Sequence, residues 1–96
     1  MKIGLPKERK ENEYRVAIIP SNVGRLVDAG HDVYVEHDAG KAAGFSDEMY
    51  LEKGARILSS EEEVFKTCEL IIKVKEILPS EFGLLNDKHI LFTYIH

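Results

Sequence analysis

Three positions in this 96-residue sequence carry side chains suited to handling a small anion, and each follows a short apolar run. Arg15 closes the charged stretch Lys7-Glu8-Arg9-Lys10-Glu11-Asn12-Glu13-Tyr14-Arg15, Lys75 follows Leu70 to Val74, and His96 follows Ile90 to Ile95. Arginine presents a planar fork of donors that matches a carboxylate. Lysine beside a second cation binds an anion or polarises a carbonyl. Histidine exchanges protons near neutral pH. Two cations and a proton shuttle suit a small oxo acid or amino acid. Each residue also has an ordinary reading: an exposed loop arginine, a solvated strand-end lysine and a terminal histidine.

The elements that must bring the three together are legible as alternating patterns. Lys2 to Leu5 reads as a strand ended by Pro6, and Val16 to Ile19 is a second short apolar run. Pro20, Ser21 and Asn22 open a helix with Val23, Leu26 and Val27 on one face and Gly30 as its stop. Asp32 to Glu36 is the next strand, and Asp38 to Gly44 forms a small-residue loop. Ser46 caps a short helix that starts with Asp47 and Glu48 and ends at Gly54. Ala55 to Leu58 is a strand, and Ser60 with Glu63 predicts a capping box for a helix with Val64, Phe65 and Cys68 inward. Leu70 to Val74 is a strand of buried type. Pro79, Ser80 and Glu81 open a helical turn with Phe82 and Leu85, Asn86-Asp87 turns, and Ile90 to Ile95 is the last strand.

Strands joined by helices of this length predict an α/β fold: a mostly parallel sheet with helices on both faces, a flavodoxin- or Rossmann-like three-layer domain. In such a sheet the carboxyl ends of all strands share one rim, where ligands bind. Arg15, Lys75 and His96 therefore face the same rim.

Composition narrows the partners. The chain suffices for one domain with one modest core. Its net charge of -4 makes nucleic acid a poor partner. No apolar run approaches the roughly 20 residues of a membrane span. Cys68 is the single cysteine, and Met1 to Pro6 lacks the pattern of a signal peptide, so a cytoplasmic location is expected. His31, His37 and His89 have no metal-ligand spacing and read as surface residues. Cys68 reads as core, and Glu61-Glu62-Glu63 as a capped, solvated helix start rather than an acid pair. Gly40 to Gly44 is not a phosphate-binding P-loop, and there is no GxGxxG, so no cofactor-binding residue and no metal ligand is assigned.

Several segments taken in order resemble one family. Met1-Lys2-Ile3-Gly4-Leu5-Pro6-Lys7-Glu8 with Asn12-Glu13-Tyr14-Arg15-Val16-Ala17 is similar to the opening of alanine dehydrogenases and of the nicotinamide nucleotide transhydrogenase α subunit. Ala29 to Val33, Gly40, Gly44 to Asp47, Gly54-Ala55, Ile72 to Glu76 and Leu91 to His96 continue the pattern. Lys75 with His96 favours the alanine dehydrogenases. The resemblance implies that Arg15 binds the carboxylate of L-alanine or pyruvate, that Lys75 holds the carboxylate or polarises the keto oxygen, and that His96 is the general acid/base. It implies NAD as cofactor, bound by a Rossmann domain beyond this chain, and a homo-oligomer. On this reading residues 1–96 are an incomplete N-terminal substrate-binding domain, and the segment alone is expected to bind no NAD and to show no turnover. The other readings are the front of a transhydrogenase α subunit and a freestanding, non-catalytic module for small carboxylates. Ile77 and Ile18-Ile19-Pro20 depart from the family pattern. Ile77 stands where proline is usual, so the loop aiming Lys75 is expected to be looser.

Overall fold

The computed structural model describes residues 1–94 of the chain. Five strands form one sheet: β1 (Lys2–Leu5), β2 (Asp32–Glu36), β3 (Arg56–Leu58), β4 (Leu70–Lys73) and β5 (Ile90–Thr93). Their spatial order is β3-β2-β1-β4-β5, and every pairing is parallel. Three α-helices, α1 (Pro20–Asp28), α2 (Asp47–Glu52) and α3 (Glu61–Thr67), connect them, with 3-10 turns at Lys41–Ala43 and Pro79–Leu84. The expected parallel α/β sheet is thus observed. The strand expected to run to Ile95 ends at Thr93 in the described residues, and the apolar run Val16 to Ile19 stays irregular.

Period-2 alternation divides the core into two layers. Ile3, Leu5, Val33 and Val35 point to one face and pack with Val23 of α1 and Tyr50 of α2. Tyr34 and Ile71 point to the other and pack with Val64, Phe65 and Cys68. Gly4 faces α3, where a Cβ would stand 2.7 Å from Val64 Cγ1 and 2.9 Å from Cys68 Cβ. Glycine is what allows α3 to lie so close to the central strand. Cys68, just past the end of α3, is buried in this layer as expected, and burial pushes its thiol pKa up to about 12.

The helix starts follow the sequence, with one correction. Ser46 Oγ accepts from the Met49 N–H, and Ser60 Oγ accepts from the Glu63 N–H at 3.2 Å. The return half of the predicted capping box is absent: Glu63 Oε1 instead accepts the Ser59 hydroxyl at 2.6 Å. Gly30 and Gly54 take φ values of 95° and 99°, the left-handed turns that stop α1 and α2.

The sheet is unevenly covered. Ile90, Leu91 and Phe92 of β5 are each at least two-fifths exposed, and Phe92 stacks edge-on against Tyr94 at 5.3 Å. No described helix is long and apolar enough to cross a membrane.

Candidate functional site

The chain leaves β1 in one direction to reach β2 and returns after β3 to place β4 on the opposite side of β1. The carboxyl ends of β1 and β4 therefore diverge at a switch point, where an open parallel sheet has its natural crevice. The loop after β1 carries Arg15 and the loop after β4 carries Lys75, so the fold brings these two sequence-predicted residues to one rim. His96 lies outside the described residues.

A third residue joins the pair. The Glu13 carboxylate accepts from Arg15 Nε and Nη2, both at 3.1 Å, and from the Arg15 backbone N–H at 2.8 Å. Lys75 Nζ lies 3.8 Å from the same carboxylate. The hydrogen bonds from Arg15 hold the Glu13 carboxyl below the usual carboxylate range, and Glu13 in turn raises the Arg15 guanidinium. The Glu13 side chain is only 3% exposed whereas that of Arg15 is 60% exposed. Glu13 thus grips the inner edge of the guanidinium and leaves the outer edge to solvent. Arg15 lines a cavity of about 230 Å³ with Lys7, Glu8, Asn12, Asp38 and Ala39. That is below the size of pockets for drug-sized ligands, so an occupant would be small.

Beneath this rim lies a buried charge network that the sequence reading missed. Lys73 is 1% exposed, with Nζ 3.4 Å from Glu8 Oε1 and 3.8 Å from Glu81 Oε2. Glu8 also accepts the backbone N–H groups of Val74 at 2.8 Å and Lys75 at 3.2 Å. Arg9 pairs with both Glu36 and Glu61. The missed signal was strand alternation: Lys73 shares a face with Ile71, so it had to be buried and paired.

Glu61 corrects the expectation of a solvated helix start. Its side chain is 14% exposed, and burial, then a hydrogen bond shared with Glu81, pushes its carboxyl up to about 8. Burial would also raise Glu81, but the bond with Glu61, the Leu78 N–H and Lys73 outweigh it and leave Glu81 lowered. Glu61 therefore holds its proton more tightly than Glu81 does. An acid pair was overlooked because its members are twenty residues apart in the chain.

The histidines also differ from simple surface residues. His89 is half-buried: Nδ1 accepts from the Asn86 N–H at 3.0 Å, which leaves Nε2 to donate to the Phe65 carbonyl at 2.5 Å. His37 is exposed, as expected, but lies 2.5 Å from Asp47 Oδ2 and 3.3 Å from Asp38 Oδ2. The hydrogen bond to Asp47, then the charges of Asp38 and Asp47, raise its pKa. The ligand atoms of His37, Asp38 and Asp47 lie within 4.8 Å of one another, a grouping that the chain spacing of the histidines did not reveal.

The loop after β1 does not fit the pyrophosphate of a dinucleotide. It has no glycine from Lys7 to Arg15, where a pyrophosphate needs glycine-rich backbone N–H groups at a tight turn. Ile77, where a looser loop was expected, is buried against the α3 layer and anchors the segment after Lys75.

Residues 4–96 match the family model described as alanine dehydrogenase/PNT, N-terminal domain. The chain belongs to this family. It is 55% identical over its full length to the alanine dehydrogenase of Methanococcus maripaludis and 50% identical to that of Geobacillus stearothermophilus. The chain spans about a quarter (26%) of the length of these relatives. A solved L-alanine dehydrogenase superposes with a TM-score of 0.95 at 46% identity, over all of this chain and 26% of that one. The transhydrogenase from Sinorhizobium meliloti superposes at 0.89 and 29% identity, over 97% of this chain and 27% of that one.

Proposed function

We propose that this chain is the substrate-binding portion of an NAD-dependent L-alanine dehydrogenase, which interconverts L-alanine with pyruvate and ammonia. The observation that carries the reading is the rim pair: Arg15, with its outer edge free beside a small cavity, and Lys75, both turned toward Glu13. An α-carboxylate docks on the free edge of Arg15, and Lys75 holds that carboxylate or polarises the keto oxygen. His96 exchanges the proton as the carbinolamine forms and collapses. The nicotinamide is held by another part of the enzyme, in keeping with the misfit of the β1 loop to a pyrophosphate. The enzyme is expected to be a cytoplasmic homo-oligomer. The higher identity to alanine dehydrogenases than to the transhydrogenase supports this reading over a transhydrogenase α subunit.

The test is a chimera in which this chain replaces the matching quarter of the M. maripaludis enzyme. It should reduce pyruvate with NADH and ammonia. Arg15→Ala should raise the pyruvate KM far more than it lowers kcat, and His96→Ala should do the reverse. Normal turnover in both variants would overturn the assigned roles, and a chimera that exchanges hydride between nicotinamide nucleotides without using pyruvate would favour the transhydrogenase.

A further inference from the structure

We infer that Glu8 is a positioning residue that sets the placement of Lys75 relative to Arg15. The inference rests on the substrate-binding reading above. Glu8 belongs to the loop after β1, the loop that ends in Arg15, yet its hydrogen-bond partners all lie at the end of β4. One carboxylate, 4% exposed, takes the N–H of Val74 at 2.8 Å, the N–H of Lys75 at 3.2 Å and Lys73 Nζ at 3.4 Å.

The chemistry explains why a carboxylate is needed. The backbone has just left the ladder of β4, whose pairing with β5 ends at Lys73 and Thr93. The next two N–H groups point away from water and need an acceptor. A carboxylate offers two oxygens, acceptor-only, with enough lone pairs for three donors. Glutamine at the same place must turn its NH2 group toward one of those donors, so it leaves an N–H or the buried ammonium unpaired.

The consequence falls on the rim. Glu13 grips Arg15 through three hydrogen bonds, but it reaches Lys75 only through a 3.8 Å ionic contact. That contact is too long for a hydrogen bond, so it constrains the Lys75 ammonium less than Arg15 is constrained. The direct hydrogen-bonded tie between the two loops at Lys75 is the one from its backbone to Glu8. A substrate carboxylate that uses both cations therefore depends on Glu8, which itself touches neither Nζ of Lys75 nor the guanidinium of Arg15.

Glu8 is also a counter-ion of buried Lys73, and the two roles separate in a double variant. Replacing a buried pair by apolar or neutral groups of similar shape removes the unpaired charge. Glu8→Gln and Glu8→Gln/Lys73→Met are made in the chimera described above. The pyruvate KM is measured by steady-state kinetics and the NADH dissociation constant by fluorescence titration. The expected result is a pyruvate KM raised fivefold or more in the double variant, and in the single variant if it folds, with NADH affinity within twofold of the parent. A rise below fivefold overturns the inference. So does a parallel loss of NADH affinity, recovery of the parent KM in the double variant, or failure of both variants to fold, which makes Glu8 a residue of the fold alone. The turnover of the parent chimera reports on the function reading, and the ratio of variant to parent reports on Glu8.

Discussion

Gly4→Ala places one methyl group where the central strand meets α3. The new Cβ would lie 2.7 Å from Val64 Cγ1, 2.9 Å from Cys68 Cβ and 3.0 Å from Cys68 Sγ. Neither neighbour yields easily: Val64 is fully buried and has one strongly preferred helical rotamer, and the Cys68 contact involves a Cβ fixed to the backbone. The helix must move outward, which loosens a layer containing Phe65 and Ile71. Overpacking of this kind costs about 1–3 kcal/mol. Against it stands a gain of about 0.4–1 kcal/mol from the reduced freedom of the unfolded chain. The net loss is on the order of 1–2 kcal/mol, and at about 4–8 °C per kcal/mol for a domain of this size the melting temperature falls by roughly 5–15 °C. Thermal unfolding followed by far-UV circular dichroism measures it. Val64→Ala removes the closest contact, so the double variant should be more stable than the two single losses predict, by about 0.5 kcal/mol or more. A Gly4→Ala protein that melts with the parent, or a strictly additive double variant, refutes the close-approach argument.

Two further outcomes test other parts of the structure. Tyr50 is fully buried and donates its hydroxyl to the Ile18 carbonyl at 2.7 Å, tying α2 to the chain that follows Arg15. Tyr50→Phe should cost about 1–3 kcal/mol in urea unfolding, because a buried carbonyl loses its partner; an unchanged midpoint would show that the bond contributes nothing. Glu61 gives a pH dependence. Its carboxyl is raised from 4.5 to about 8, so the fold favours the protonated form. That contribution is fully present below about pH 4.5 and is lost as pH rises through 8. Glu61→Gln cannot ionise, so its melting temperature relative to the parent should rise from pH 5 to about pH 8 and then level off. A difference that stays flat over that range would rule out the raised carboxyl.

The sequence by itself determined the order and type of the elements, because that information is local. Pro20 with Gly30, Ser46 with Gly54 and the inward run of α3 each mark an element within a few residues. The alternation of apolar strands and helices requires parallel pairing with crossovers. From that pairing alone, Arg15 and Lys75 had to share a rim. The tertiary structure decided what lies beneath and beside them. Glu13 between the two cations, Glu8 clasping the end of β4, and the opposite pKa shifts of Glu61 and Glu81 join residues that the chain separates widely, apart from the Glu13–Arg15 contact. Lys73 was half legible, since its register with Ile71 placed it on a covered face, but its partners were not. Charged side chains declare their exposure poorly in sequence, because burial is tolerated wherever a counter-charge arrives, and which counter-charge arrives is set by the order in which the strands assemble.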